Sequence, residues 1–427
     1  MLLIYSAETS LRLQYICKFI FEEMLGVSYS ITLHESSFSS HEGPKINYSD
    51  LSFSESYTIR PNKLLFETGI QSNERNCTEE NGQKIFFQTS DGNHSFDILA
   101  AVFYLITRYE EYLPHTKDMY GRYAHENSLA FKEDFLHTPL VNIWLLNFQE
   151  KLKQFFPALK FASKQFKYIP TYDIDIAWSY REKGLIRNIG GFIRKPTWER
   201  VSALSGSATD PYDCYVFLNK IHDIIKQTPI YFFLVAEQNG KYDKNILPEN
   251  KQMQSLIKEH ADRYEIGLHP SWKSNDAAHI LYQEMKTLEV ISGKEILSSR
   301  QHYIKFNLPD TYQHLINAGI TDDYSMGYGS INGFRASVAS SFLWYDLSSE
   351  KITSLRIHPF CFMDANCFYE QKLSVDDSYK ELLHFYHECK KVKGTLITIF
   401  HNSFLGTAKE FDGWQELYKK FIPQLQL

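Results

Sequence analysis

The sequence has no long apolar run free of charge. Its longest apolar stretch, 96–113, carries Asp97, Arg108, Glu110 and Glu111. Four charges in eighteen residues exclude an ordinary membrane-spanning helix, which needs about 20 predominantly apolar residues. The apolar residues of this stretch recur three to four positions apart, which predicts a buried amphipathic helix instead.

The first residues lack the positively charged start of a secretory signal peptide. Met1-Leu-Leu-Ile-Tyr5 contains no Lys or Arg, and polar residues follow directly at Ser6, Glu8 and Thr9. A signal peptide has a basic beginning and a longer apolar segment. We therefore expect a soluble, cytoplasmic protein.

Neither cysteine nor charge of one sign is abundant. The six cysteines are scattered without a CxxC pair, so a disulfide framework or a cysteine-based structural zinc is not expected. The net charge is −6, from 45 basic and 51 acidic side chains, and no long basic run occurs. Nucleic acid and anionic membranes are therefore not the expected partners.

What the chain does have is length and apolar residues enough for two domains. It has 427 residues, of which 43% are hydrophobic and 15% aromatic, and domains commonly hold about 100–200 residues. The pattern changes near Phe166, and we place the boundary there. Residues 1–165 are predicted to form a smaller α+β or α/β N-terminal domain, and residues 166–427 a second domain.

The second domain alternates strand-like and helix-like segments, which predicts an α/β fold with a mostly parallel sheet. A closed (β/α) barrel is favoured over an open sheet, because polar residues recur at the carboxyl ends of the strand candidates, where such barrels assemble their chemistry. The strand candidates are Tyr168–Ile176, Ile230–Val235, Glu265–His269, Ile296–His302, Ser341–Leu347, Leu355–Phe360 and Leu396–Phe400. The polar residues are Asp173, Asp175, His269, Arg300, His302, Asp364 and His401.

Two carboxylates open this domain. Asp173 and Asp175, in Thr171-Tyr-Asp-Ile-Asp175, project to the same side of a strand, since side chains alternate with period two. Two ionised carboxylates so close repel each other, so one is protonated or a cation neutralises both. A strand-end Asp that caps the next helix is the structural alternative, and the pair alone does not decide between the two.

Later strand candidates deliver further polar side chains. His269 ends the strand before Pro270, Arg300 and His302 share one face of a later strand, and His401 ends a hydrophobic strand. Each also has a structural alternative, as an ordinary polar residue at a sheet edge; the position of His269, one strand–helix unit beyond another polar strand end, favours a functional role for it.

Taken in order, these residues resemble the polysaccharide deacetylase family, also known as the NodB-homology or carbohydrate esterase 4 family. Its first motif is Thr-Phe-Asp-Asp or a spaced Asp-x-Asp, which Thr171–Asp175 matches. More narrowly, the chain resembles a bacterial two-domain subgroup with an uncharacterised N-terminal domain. That likeness lies in Arg108-Tyr-Glu-Glu-Tyr-Leu-Pro114, Gly121-Arg-Tyr, Ser325-Met-Gly-Tyr328 and Gly333-Phe-Arg335.

The resemblance implies a distorted barrel, a divalent metal, with zinc expected, and a role for each residue. Asp173 would be the general base that activates water, with Arg300 orienting it. His401 would protonate the leaving amine, and Asp364 could fix the tautomer of that histidine. Asp175 and His269 would hold the metal.

One position departs from the family pattern. The second motif usually has two histidines four residues apart, but Lys273 stands four residues after His269. The third ligand must therefore come from elsewhere, or the metal is held weakly, or it is absent. His302 is the best substitute ligand, and Asp322 or Asp323 a lesser one.

The function expected from this resemblance is hydrolysis of a non-peptide amide bond, most simply N-deacetylation of an amino-sugar glycan or its precursor. The expected partner is thus a carbohydrate. Two alternatives stay open: a carbohydrate-binding relative that has lost catalysis, and a metal-free glycoside hydrolase with paired carboxylates, such as Asp173 with Asp364 or Asp323.

Overall fold

The N-terminal part of the chain is built on a small parallel sheet. The computed structural model describes residues 1–72, 75–184, 197–225 and 227–425. The sheet has the order β2-β1-β3-β4, all parallel, and a separate antiparallel hairpin, β5–β6, follows it. These strands are β1 (Leu2–Ser6), β2 (Tyr29–Thr32), β3 (Lys45–Tyr48), β4 (Tyr57–Thr58), β5 (Thr78–Glu80) and β6 (Gln83–Ile85).

The predicted helix in 96–113 is shorter and more deeply buried than its pattern indicated. It spans Ile98–Ile106, and every one of its residues is buried, so it is not amphipathic. The side chain of Asp97 caps its first turn by accepting from the backbone N–H of Ala100. Arg108 adopts a left-handed conformation (φ 55°) and redirects the chain into a 3₁₀ turn. The other long elements here are the helix Leu11–Cys17, its π-helical continuation Lys18–Met24, and the helix Leu140–Phe155.

A nine-stranded sheet forms the rest of the molecule, in the order β12-β13-β11-β10-β9-β8-β7-β15-β14. All neighbouring pairs are parallel except β12–β13. The predicted parallel sheet is therefore confirmed. Its strands are β7 (Lys167–Ile174), β8 (Ile230–Phe233), β9 (Glu265–Leu268), β10 (Ser298–Ser299), β11 (Asp322–Asp323), β12 (Phe342–Asp346), β13 (Lys351–Ile357), β14 (Phe362–Met363) and β15 (Thr395–His401).

A closed barrel is not confirmed, because no ladder within the described residues joins β12 to β14. The two ends are nevertheless linked through one extended stretch, 351–363. Arg356 and Ile357 of this stretch pair with β11, and further along the backbone N–H of Cys361 donates to the carbonyl of Ile397, in β15. The helices of this part are Trp198–Ser205, Tyr215–Ile225, Lys251–Arg263, Ala278–Ser292, Asp310–Ala318, Val375–Lys391, Asn402–Leu405 and Trp414–Phe421.

The two parts of the chain share one apolar core. A single cluster of buried side chains contains residues of both sheets and of the helices around them. The ring of Tyr15, for example, lies 5.1 Å from that of Tyr345. The predicted division into domains at 165/166 stays a prediction. Among the described residues, no helix has the length and apolar character needed to cross a bilayer.

Candidate metal centre and active site

The carboxyl ends of two parallel strands, on either side of β8, bring the first two candidate ligands together. Asp175 follows β7 directly, and His269 follows β9. Nδ1 of His269 lies 2.6 Å from the carbonyl oxygen of Arg300. Because a carbonyl can only accept, this nitrogen carries the proton, and Nε2 is left with a lone pair in the neutral ring. That atom lies 3.1 Å from Oδ1 of Asp175.

His302 supplies a third ligand atom from a different part of the sheet edge. Its Nε2 lies 3.4 Å from Oδ2 of Asp175, and its Nδ1 lies 3.0 Å from Oδ1 of Asp243. The sequence placed Arg300 and His302 on one strand face. That was wrong, since β10 ends at Ser299 and His302 begins a short 3₁₀ turn.

The donor set fits a divalent metal. One ligand atom from each of Asp175, His269 and His302 lies within 4.8 Å of the others, and Oδ1 of Asp175 is buried without a hydrogen bond. This oxygen faces the lone pair of Nε2 in His269, so a cation between them satisfies both. Ligands about 2.0–2.1 Å from a tetrahedral zinc lie roughly 3.3 Å apart. The separation of Oδ1 of Asp175 from His269 (3.1 Å) and that of Oδ2 of Asp175 from His302 (3.4 Å) are both close to this value.

The electrostatics of this cluster favour added positive charge. Burial alone would favour a neutral His302, but Asp175 and Asp243 outweigh it and raise the pKa of the ring to about 9. Burial likewise disfavours ionised Asp175, yet His302, His269 and His401 hold the pKa of this carboxyl well below its usual range. Asp175 is therefore an anion in a cluster that attracts positive charge, either a proton on the ring of His302 or a metal ion that takes its place.

Asp173 lies beside this cluster and is held by Arg300. Its Oδ1 accepts from Nη1 of Arg300 at 2.9 Å, and its Oδ2 lies 3.9 Å from Nε2 of His269. The guanidinium is itself fixed, since Nη1 also donates to Thr171 and its carbon lies 4.4 Å from the ring centre of Phe232. Asp173 and Arg300 are almost fully buried.

His401 approaches from the other side and is held by Asp364. Its Nδ1 lies 2.6 Å from Oδ1 of Asp364, whose Oδ2 accepts from the backbone N–H of His401. Nε2 therefore faces the cavity, 3.8 Å from Oδ2 of Asp175. Burial disfavours the charged ring, but Asp364, Asp175 and Asp173 raise the pKa of His401 to about 10. The ring is a proton donor at neutral pH.

The remaining sequence candidates lie elsewhere. Lys273 is exposed at the surface. Oδ1 of Asp322 lies 2.7 Å from His358, and the buried Asp323 accepts from the hydroxyls of Ser299 and Ser325. Among the residues that the structure describes, neither carboxylate belongs to the metal-ligand group.

The three candidate metal ligands, together with Asp173 and His401, line one cavity of about 510 Å³. This volume is within the roughly 300–1,000 Å³ usual for small-molecule sites. Asp173, Asp175, His269, His302 and His401 form its polar floor. Its walls are rich in aromatic rings, contributed by Tyr120, Tyr212, Tyr303, Tyr369, Phe404 and Phe411.

Known proteins resemble the two parts of this chain differently. Residues 2–157 match the model of DUF7033, a family of unknown function. No curated protein matches the sequence. Solved structures described as polysaccharide deacetylases are similar to about three fifths of the chain.

Three of these structures come from different bacteria. A protein from Mycobacterium smegmatis is 13% identical, with 62% of this chain and 85% of that chain covered and a TM-score of 0.41. One from Pseudomonas aeruginosa PAO1 is 11% identical, with 61% and 84% covered and a TM-score of 0.40. One from Bacillus cereus is 10% identical, with 61% and 88% covered and a TM-score of 0.31. At these values the likeness assigns no function to this chain.

Sequence reasoning missed two groups of residues at the site. Asp243, which holds His302, is buried, but it lies in a polar stretch of sequence and carries no pattern that distinguishes it from a surface acid. Tyr120 and Arg122 line the cavity from the N-terminal part of the chain. Gly121-Arg-Tyr123 did stand out as a likeness to the two-domain subgroup, and that likeness was the available signal.

Proposed function

We propose that this protein is a divalent-metal-dependent hydrolase of non-peptide C–N bonds, which removes the acyl group from an N-acylated amino sugar in a glycan or a glycan precursor. In this proposal, residues 166–427 form the catalytic domain, a distorted (β/α) barrel, and residues 1–165 a separate N-terminal domain. The observation that supports this proposal best is the group of three ligand atoms from Asp175, His269 and His302. The Asp173–Arg300 pair lies on one side of this group and the His401–Asp364 pair on the other.

Asp175, His269 and His302 hold the metal, and zinc is the proposed ion. Two imidazole nitrogens and one carboxylate, with an open position toward the cavity, are a common ligand set of catalytic zinc. When bound, the ion supplies Lewis-acid polarisation of the acyl oxygen and makes water easier to deprotonate. Lys273 does not weaken this proposal, because His302 provides the ligand that the family usually takes from the position of Lys273.

Asp173 and His401 move the protons. Asp173 accepts a proton from the attacking water, and Arg300 keeps the accepting carboxylate in place. The water oxygen bonds to the acyl carbon, the C–N bond breaks, and Nε2 of His401 gives its proton to the leaving nitrogen. The products are a carboxylic acid and the free amine, so water is the only co-reactant.

The cavity walls support a sugar substrate. Aromatic faces bind the apolar faces of sugar rings, and the walls contain six aromatic side chains. The floor supplies the polar groups that act on the amide.

Elemental analysis and an acetate-release assay test the proposal together. Purified wild-type protein is expected to hold one zinc per chain, and Asp175→Ala and His269→Ala to lose it. Oligosaccharides of N-acetylglucosamine are the probe substrate. Asp173→Asn is expected to lower kcat by about 10²-fold or more, whereas Asp276→Asn, at an exposed carboxylate, leaves it unchanged.

Three results would contradict the proposal. If Asp173→Asn keeps the activity of wild type, Asp173 is not the general base. Glycan cleavage that persists after chelation favours a metal-free glycoside hydrolase. Zinc and saccharide binding without release of acetate, across N-acylated mono- and oligosaccharides, favours a binding protein that has lost catalysis.

A further inference from the structure

The chain that carries His302 adopts an uncommon backbone conformation. Tyr303 (φ 58°, ψ 12°) and Ile304 (φ 53°) lie in the left-handed region. This region is disfavoured for residues with a side chain, most of all for a β-branched one such as Ile304. Such a conformation persists only where surrounding contacts enforce it. The position of the His302 ring therefore depends on what holds the next two residues.

Arg122, from the N-terminal part of the chain, makes that contact. Its Nη1 donates to the carbonyl oxygen of Tyr303 at 2.7 Å. Its Nε donates to Oδ2 of Asp118 at 2.6 Å, and Oδ1 of Asp118 accepts from the backbone N–H groups of Tyr120 and Arg122. The guanidinium is buried and has one fixed orientation, so it holds the Tyr303 carbonyl rigidly.

Gly329 forms the space that Arg122 occupies. A Cβ at this position would lie 2.0 Å from Nη1 of Arg122 and 2.9 Å from the carbonyl oxygen of Tyr303. Any larger residue would displace the guanidinium from the turn. The next residue, Ser330, contacts the same segment of the N-terminal part, since its hydroxyl lies 2.9 Å from Nδ1 of His125.

Buried charged side chains hold the segment 108–125 against the segment 327–335. Arg335 donates to the carbonyl of Gly327 and to both carboxylate oxygens of Glu111. Arg108 pairs with the same carboxylate and donates to the hydroxyl of Tyr328. These groups are almost completely buried, so the segment 108–125 has a defined position against 327–335.

We propose that Arg122 is a positioning residue for the metal centre: it holds the left-handed turn after His302, and this turn keeps Nε2 of His302 directed at Asp175. Tyr120, whose ring lies 5.4 Å from that of Tyr303, forms part of the substrate wall beside it. The inference rests on the proposed function. It gives the region that matches a family of unknown function a direct part in building the active site.

Amide hydrogen exchange of the metal-free protein tests the turn itself. The backbone N–H groups of Ile304 and Lys305 are hydrogen-bonded within it. Arg122→Ala is expected to speed their exchange by about tenfold or more, because local opening becomes easier. Lys117→Met is the matched control: it removes an exposed hydrogen bond from the same segment, to Asn307, and leaves these rates unchanged.

Zinc affinity, measured by competition with a chromophoric chelator, tests the consequence for the site. Arg122→Ala is expected to weaken binding about 10-fold or more, as for other groups that support metal ligands, and Lys117→Met to have no effect. Arg122→Lys keeps a donor but not the two-directional fork, so its affinity should fall between those of wild type and Arg122→Ala. Gly329→Ala should act like Arg122→Ala while leaving the arginine in the sequence.

The outcomes separate this inference from the proposed function. Exchange rates or zinc affinity of Arg122→Ala equal to those of Lys117→Met would overturn the positioning role. If Arg122→Ala does not fold, the same comparison is decided by Arg122→Lys and Gly329→Ala. A wild-type protein that binds no zinc would overturn the proposed function and the metal part of the inference, while the exchange rates still decide whether Arg122 holds the turn.

Discussion

Nδ1 of His302 lies 3.0 Å from Oδ1 of Asp243, on the side of the ring opposite Asp175. A carboxylate at this position fixes the proton on Nδ1 and makes Nε2 a stronger ligand, an arrangement common around metal-bound histidines. Asp243 also accepts from the backbone N–H of Trp272, so the carboxylate is itself held in place. The pair joins two loops that are far apart in sequence.

Asp243→Asn is expected to weaken zinc binding about 10–100-fold. The amide keeps the shape of the side chain but loses the charge that strengthens His302 as a ligand. Competition with a chromophoric chelator measures the change. Asp276→Asn, at a nearby exposed carboxylate paired with Lys305, should bind zinc like wild type, and equal affinity in the two variants would refute the role of Asp243.

His302→Ala is expected to lower zinc affinity by more than about 100-fold, because it removes a ligand and not only its support. Lys273→Ala, at the position where the family usually has a histidine, should leave affinity unchanged since Lys273 is exposed. Calorimetric titration of both variants with zinc checks this. The opposite ranking would show that the third ligand is wrongly assigned.

Asp364→Asn should narrow the pH range of activity on the alkaline side. The pKa of His401 is raised to about 10 against burial, with Asp364 the largest favourable contribution. As the proton donor, His401 works only below its pKa, so the rate should fall at alkaline pH, where the ring loses its proton. Loss of the Asp364 charge should move this fall to lower pH by about 1–3 pH units.

The measurement is the pH profile of kcat for acetate release. Glu370→Gln removes an exposed carboxylate from the rim of the same cavity and should leave the alkaline limb in place. If kcat of Asp364→Asn falls at the same alkaline pH as that of wild type, Asp364 does not keep His401 protonated as the proton donor.

Glu111→Gln is expected to destabilise the protein by about 3–5 kcal/mol, because it leaves two buried guanidinium groups, Arg108 and Arg335, without their shared carboxylate. Urea unfolding at neutral pH measures the loss. Glu150→Gln, in an exposed pair with Lys153, should cost about 0–1 kcal/mol. If Glu111→Gln lowers the free energy of unfolding no more than Glu150→Gln does, the buried charges around Glu111 do not stabilise the fold as proposed.

The same carboxylate gives acid sensitivity of a defined sign. Burial disfavours its charged form, but Arg335 and Arg108 outweigh burial and lower the pKa of Glu111 to about 2. The unfolded chain binds the proton more readily, so this stabilisation is complete above the unfolded pKa near 4.5 and is lost as pH falls from there toward 2. The free energy of unfolding of Glu111→Gln should therefore fall less steeply over this range than that of wild type.

The sequence by itself determined the parallel sheet and most of the polar residues at its edge. Alternating strand and helix patterns are local properties, and a parallel strand that carries Asp173 or His401 near its carboxyl end must present that side chain at the same edge as its neighbours. The order of Asp173, Asp175, His269, Arg300 and His401 along the chain was therefore enough to expect them to lie together, as they do.

Only the tertiary structure decided which groups complete and support the site. His302 follows the strand end in a left-handed turn, Asp243 reaches its ring from a loop, and Arg122 holds that turn from 181 residues away. Loop conformations of this kind depend on contacts between distant segments, which no local periodicity records. For the same reason, the sequence could not show that the helix Ile98–Ile106 is enclosed on every side, or that Lys273 faces solvent.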